Sequence, residues 1–210
     1  MLQSILRAGV IASAAFALIA LMILIVRTFS FGKKPYHSQP AGKPLNGVIY
    51  AFGRGMMPWE KESAGKHLPT FAAGIIYHLA IFAALLYLIT SLLEMAIPAT
   101  VLLALRVILL AGLLCGFALL LKRIIIPYMR GISCFDDFVA NMFVNLFLGA
   151  ALAVTLATGL KSLFFIMAIT LFIYIPMGKI RHCFYFFYTR AFFGIFFGRR
   201  GVFPHPSREV

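Results

Sequence analysis

Long unbroken apolar runs dominate this chain, and strict alternation of apolar and polar positions is nowhere sustained. A helix needs about 20 apolar residues to cross roughly 30 Å of bilayer hydrocarbon. The pattern predicts five such helices, over about 9–26, 70–93, 96–121, 138–159 and 163–184. The first follows "MLQSILRAG" and has the outline of a signal peptide, but its apolar stretch is long and Arg27 closes it without a cleavage site. It reads as a retained span. Between the first two spans, about 28–68 is rich in Gly, Pro and Lys and reads as an irregular loop. Within it, "GRGMMPWEKESAGKH" leads into a capped helix begun by Ser63 or by the Pro58-Trp59-Glu60 turn, with Trp59 at headgroup depth.

Composition makes the membrane reading firm. With 62% hydrophobic and 12% charged residues, the chain carries more apolar surface than one soluble core of 210 residues can bury. Mean hydropathy is +0.98. The expected fold class is therefore an all-α membrane protein with five transmembrane helices. A net charge of +13 would suggest nucleic acid in a soluble protein, but here its distribution decides otherwise. Sixteen of the 19 basic residues fall between spans one and two, between spans three and four, or in the tail. Only Arg7 and Lys161 lie on the other side, with Arg106 inside a span. The positive-inside rule then places the N-terminus outside and the C-terminus in the cytoplasm of a multi-pass inner-membrane protein. Cys115, Cys134 and Cys183 form no CxxC pair and no CxxCH haem-attachment signature. No repeat, P-loop or GxGxxG motif is present.

Candidate chemistry rests on histidine. Of His37, His67, His78, His182 and His205, only His78, in "GIIYHLAIF", sits well inside a span, where an ionisable side chain is costly and by default functional. The alternative is a packing histidine with one interhelical hydrogen bond. On the expected topology span two leaves the cytoplasm and span five returns to it, so His78 and His182 can face each other as axial ligands of a b-type haem. His67 lies 11 residues before His78. Eleven steps of 100° return it to within about 20° of the same helix face, roughly 16 Å lower. It could ligate a second haem with His205, replace His78, or touch a propionate or headgroup. His37 and His205 read as solvated loop residues.

Three stretches carry a family resemblance. "KSLFFIMAITLFIYIPMGKIRH" resembles the fifth span of the membrane cytochrome b subunit, the gamma subunit, of respiratory nitrate reductase, in which a helix ends in a proline, a basic residue and a haem-ligating histidine. "GIIYHLAIF" resembles that family's second span, and "LLKRIIIPYMRGISCFDDF" its connection from span three to span four. The likeness covers about 70–190, and "GMMPWEKESAGKHLP" is more similar to versions in heterodisulfide-reductase-like and sulfate-reducer transmembrane redox complexes. It implies electron transfer between a quinone or quinol and a cytoplasmic iron–sulfur subunit, in a hetero-oligomeric complex with other membrane or periplasmic cytochrome subunits. Diheme members carry two more ligands, whose places here fall near Leu88 and Phe164. Neither ligates iron. One haem b is therefore expected, held by His78 and His182.

The remaining polar residues extend the picture. Arg123, Arg130 and Arg181 are expected to neutralise propionates, beside Lys122. Asn145, with Asn141 one turn before it, either bonds between helices or supports an axial imidazole. Arg106 pairs with Glu94 or with backbone carbonyls, or meets a quinone or haem edge. Asp136 and Asp137 cap span four. The expected organisation is a five-span cytochrome b-like domain over 1–190 and a cytoplasmic interfacial tail over 191–210. The aromatic stretch "CFYFFYTRAFFGIFFGRRG" anchors that end, with Arg190, Arg199 and Arg200 facing headgroups, or docks another subunit. The rivals are a haem-free membrane anchor or assembly subunit, and a small transporter using Arg106 and His78, although the inverted repeats a transporter would carry are not found.

Overall fold

The computed structural model describes residues 1–30 and 39–203, less the side chains of Glu62 and Ser63. His37 and His205 lie outside the described residues. All regular structure among the described residues is helical: α1 Leu2–Ser30, α2 Pro44–Phe52, α3 Glu62–Lys66, α4 Leu68–Leu92, α5 Ala99–Ile125, α6 Pro127–Gly131, α7 Phe135–Leu156, α8 Lys161–Tyr174 and α9 His182–Arg199. In hydrocarbon each backbone N–H and C=O must find a partner within its own segment, and a helix provides that. Four helices, α1, α4, α5 and α7, are long and apolar enough to cross a membrane, and a broken pair makes a fifth candidate.

That break corrects the expected fifth span. The run 163–184 is not one helix, because α8 stops at Tyr174 after 14 residues. Pro176 lacks the N–H an α-helix would use there, and Met177 and Gly178 both donate backbone N–H to the Tyr174 carbonyl, at 3.0 and 2.9 Å. A 3-10 turn over Lys179–Arg181 precedes α9. His182 therefore opens a new helix instead of closing the old one. The loop between spans one and two also holds more order than its composition suggests, since α2 occupies nine of its residues with Pro44 in its first turn.

The chain divides into two compact units. The first comprises Met1–Ala20 and Pro69–Ile180. Its core joins Phe147, Leu148 and Ala151 of α7 to Leu109 of α5, Ala80 and Leu88 of α4, Phe164 and Phe165 of α8, and Val10 of α1. Small residues let these helices approach closely. A Cβ on Gly112 of α5 would overlap the Cβ of Ala80, and one on Gly116 would lie 2.5 Å from Tyr77 Cε2. At one end of the unit Arg7 pairs with Glu94, and Gln3 donates to Ser162 Oγ at 2.9 Å. At the other end Arg123 and Lys179 share the Asp137 carboxylate, at 3.2 and 2.7 Å, and Lys179 N donates to Asp136 Oδ2 at 2.7 Å.

The second unit comprises Leu21–Leu68 and Arg181–Val210. Its centre is the crossing of α2 on α9, backbone against backbone. A Cβ on Gly47 would overlap the Gly194 carbonyl oxygen and lie 2.5 Å from Gly198 Cα. Around the crossing, Tyr50 stacks on Phe203 with centroids 4.7 Å apart and donates from its hydroxyl to Glu60 Oε2 at 2.7 Å. Arg54 Nε donates to the other Glu60 oxygen at 2.6 Å. Burial and the Glu60 carboxylate beside it push the Tyr50 phenol above its usual range.

Candidate functional site

His78 stands ten residues into α4, about 15 Å along the helix axis. Its neighbour Tyr77 is buried against α5 and α7, and a step of 100° along the helix turns His78 onto an exposed face. There its Nδ1 lies 2.6 Å from the carbonyl oxygen of Gly74. A carbonyl oxygen only accepts, so Nδ1 carries the proton and Nε2 is the nitrogen with the lone pair. This is the tautomer in which a ring ligates metal while its other nitrogen is held by an acceptor. Gly74, one turn earlier on the same face, has nothing within 4 Å of where a Cβ would stand. A larger residue there would fill the space beside the imidazole. The His78 ring is thus oriented by its own helix on the outward face of α4.

Behind His78 lies a polar layer inside the helices. Tyr77 donates its hydroxyl to Asn145 Oδ1 at 2.8 Å, and Asn145 Nδ2 donates to Asn141 Oδ1 at 2.9 Å. Asn145 is only 4% exposed. Of its two expected roles, it takes the interhelical bond. The acceptor supporting His78 comes instead from its own helix, at Gly74. The layer requires Gly116, since a Cβ there would overlap Asn145 Oδ1.

The other expected residues are placed as follows. His182 is exposed at the first position of α9 in the second unit, as is Arg181 just before it. Arg123 shares the Asp137 carboxylate with Lys179 and donates to Ser133 Oγ at 3.0 Å. Arg130 is exposed at the end of α6. Lys122 Nζ reaches Thr70 Oγ1 in the first turn of α4. His67 does not share a helix with His78: α3 ends at Lys66, and His67 sits at φ −132° and ψ 48° before α4 begins. The face argument across 11 residues assumed an unbroken helix, and the break removes it.

Arg106 bonds the carbonyl and hydroxyl oxygens of Thr155, near the end of α7. The carbonyl alternative therefore holds over Glu94, which is taken by Arg7. A guanidinium here caps the last turn of α7, where carbonyls lack helical partners. Asp137 reaches back to Cys134 N at 2.9 Å as part of a capping box, as its capping role anticipated. Leu88 and Phe164, where further haem ligands would fall, are in the closed core. Phe164 stacks between Tyr87 and Phe147 at centroid distances of 5.7 and 5.5 Å.

Tyr77 and the paired glycines were not picked out from sequence. The small-xxx-small spacing of Gly112 with Gly116, and of Gly194 with Gly198, was the available signal. Among the described residues no three His, Cys, Asp or Glu side chains gather as a metal-holding group, and a bis-imidazole haem takes only two protein ligands. No family model, no curated protein and no solved structure matches the chain.

Proposed function

We propose that this chain is a b-haem membrane subunit that passes electrons between the quinone pool and a cytoplasmic iron–sulfur partner, within a hetero-oligomeric redox complex of the inner membrane. The observation that carries the reading is His78: an imidazole within an apolar helix, its Nδ1 proton held by the Gly74 carbonyl at 2.6 Å, with open space at Gly74 beside it. The second imidazole is taken from sequence, where His182 closes the stretch that resembles the family's fifth span. The N-terminus is placed outside and the C-terminus inside by the charge distribution.

A haem with two imidazole ligands supplies one-electron transfer and leaves no open position for substrate. The chain's own residues hold it and tune it. The Gly74 carbonyl orients the His78 ring and raises the basicity of its ligating nitrogen. Tyr77, locked to Asn145 behind, fixes the rotation of α4 and so the direction in which His78 points. Arg130 and Arg181, both exposed, are cations available for propionates, as is Arg123, which only shares the Asp137 carboxylate with Lys179. Leu88 and Phe164, at the places of the further ligands, carry no atom that ligates iron, so the reading is of one haem.

The test is the visible and electron paramagnetic resonance spectrum of the purified full chain. A Soret band with a low-spin bis-imidazole signal is expected, lost in His78→Ala and in His182→Ala and kept in His67→Ala. A wild-type protein that retains no haem when expressed with ample haem supply refutes the reading and leaves the haem-free anchor.

A further inference from the structure

Arg7 and Lys161 stand at the end of the first unit where α1 and α8 begin and α4 finishes. Far apart in the chain, they are drawn together by the fold. Gln3 Nε2 donates to Ser162 Oγ at 2.9 Å, which pins the first turn of α1 to the residue after Lys161. Arg7 follows Gln3 by four residues, so the two share one face of α1. The Arg7 guanidinium is close enough to the Lys161 ammonium for the charges to repel. Glu94 is the only carboxylate of this unit apart from Asp136 and Asp137 at the opposite end, and it pairs with Arg7. Lys161 has no carboxylate partner among the described residues. Its Nζ stands 5.6 Å from the ring centroid of Phe165, on its own helix. Arg7 Nε has no hydrogen-bond partner either. Two cations therefore share one carboxylate, and one positive charge is left in excess. Both side chains are half-buried, and a charge drawn partly out of water is costly until an anion is held against it.

We infer that Arg7 and Lys161 form a site for the phosphate group of an anionic phospholipid, in the leaflet at that end of the unit. The helices that carry the two cations are apolar segments whose first turns stand at headgroup depth, so the phosphate that meets them in a bilayer is a lipid's. A guanidinium offers a planar fork of N–H donors and an ammonium a compact point charge, and phosphate oxygens accept from both. The one charge in excess selects a headgroup of net negative charge over a zwitterionic one. The inference rests on the membrane reading and not on the haem.

The test uses the full chain with its single tryptophan moved to the site, as Trp59→Phe with Leu163→Trp. Leu163 is exposed two residues beyond Lys161. This protein is reconstituted into phosphatidylcholine nanodiscs that contain equal fractions of either phosphatidylglycerol or phosphatidylcholine brominated near the carboxyl end of the acyl chains, and fluorescence quenching is compared. Phosphatidylglycerol should be preferred about fivefold at low salt, the equivalent of one basic side chain at a charged surface. Arg7→Gln and Lys161→Gln each remove the excess charge and should each abolish the preference, while Lys161→Arg should keep it. Glu94→Gln adds one positive charge and should raise the preference by about a further fivefold. Equal quenching by the two lipids overturns the inference, as does an unchanged preference in Arg7→Gln or Lys161→Gln. A preference that falls in Glu94→Gln overturns it too, since the three side chains would then only tie helices together. Loss of the preference when inorganic phosphate replaces chloride at constant ionic strength gives the site to the free anion and overturns the lipid assignment.

Discussion

Replacing Gly116 by alanine adds one methyl group where α5 meets the Tyr77–Asn145 layer. The new Cβ would overlap Asn145 Oδ1 and lie 2.5 Å from Tyr77 Cε2, whereas carbon contacts settle at about 3.5–4.0 Å. Either α5 retreats by about 1 Å or Asn145 swings away and both of its hydrogen bonds break. Interhelical hydrogen bonds in membranes average about 0.6 kcal/mol each, and overpacking a dense core costs about 1–3 kcal/mol. Alanine returns about 1 kcal/mol of helix propensity. The balance is a loss of about 1–3 kcal/mol. Gly149 in α7, with nothing within 4 Å of its Cβ position, is the control, and Gly149→Ala should be neutral or stabilise by up to about 1 kcal/mol. The two variants are compared by titrating sodium dodecyl sulfate into mixed micelles and following loss of helicity. In an Asn145→Ala background the Gly116→Ala penalty should shrink by about 1 kcal/mol, because the overlapping oxygen is gone. If Gly116→Ala and Gly149→Ala unfold alike, the tight crossing does not exist as described.

Phe164→Ala removes a ring stacked between Tyr87 and Phe147 and should lower stability by about 3–5 kcal/mol, read as an earlier transition in the same titration. Arg106→Ala leaves the Thr155 carbonyl without its cation and should cost about 1 kcal/mol, seen as faster amide hydrogen exchange in the last turn of α7. Tyr50 titrates above its ordinary 10.0 in the folded chain because of burial and its bond to Glu60. The folded state therefore holds the phenolic proton to higher pH than the unfolded chain does. The stability this provides is fully present below pH 10 and is lost as pH rises through the folded value. Above pH about 10 the order around Trp59 should decline, followed by its emission maximum, and Tyr50→Phe should remove that dependence. Gly47→Ala should detach α2 from α9, exposing Tyr50 to faster iodination.

The apolar runs made four helices legible because a bilayer forces every long hydrophobic segment into the same hydrogen-bonded form. They hid the break in the fifth, since hydropathy does not distinguish a continuous helix from two halves joined at Pro176. The irregular reading of 28–68 missed α2 for the opposite reason: a nine-residue helix held by two glycines of a distant segment leaves no periodic signal of its own. His78 was visible as a polar residue in an apolar run. What directs it, the Tyr77–Asn145 bond and the room at Gly116, depends on contacts between α4, α5 and α7, which spacing along one chain does not encode. His67 misled because its helical phase was counted across a residue whose backbone is not helical.

The crossing of α2 on α9 has a thermal consequence. Because Gly47, Gly194 and Gly198 meet through backbone atoms, forming that contact freezes no side-chain rotamers, but each glycine gives up more backbone freedom than any other residue would. Entropy weighs more as temperature rises, so the seam is held by close contact against a rising ordering cost. Warming would therefore reach this crossing as readily as the rings around it.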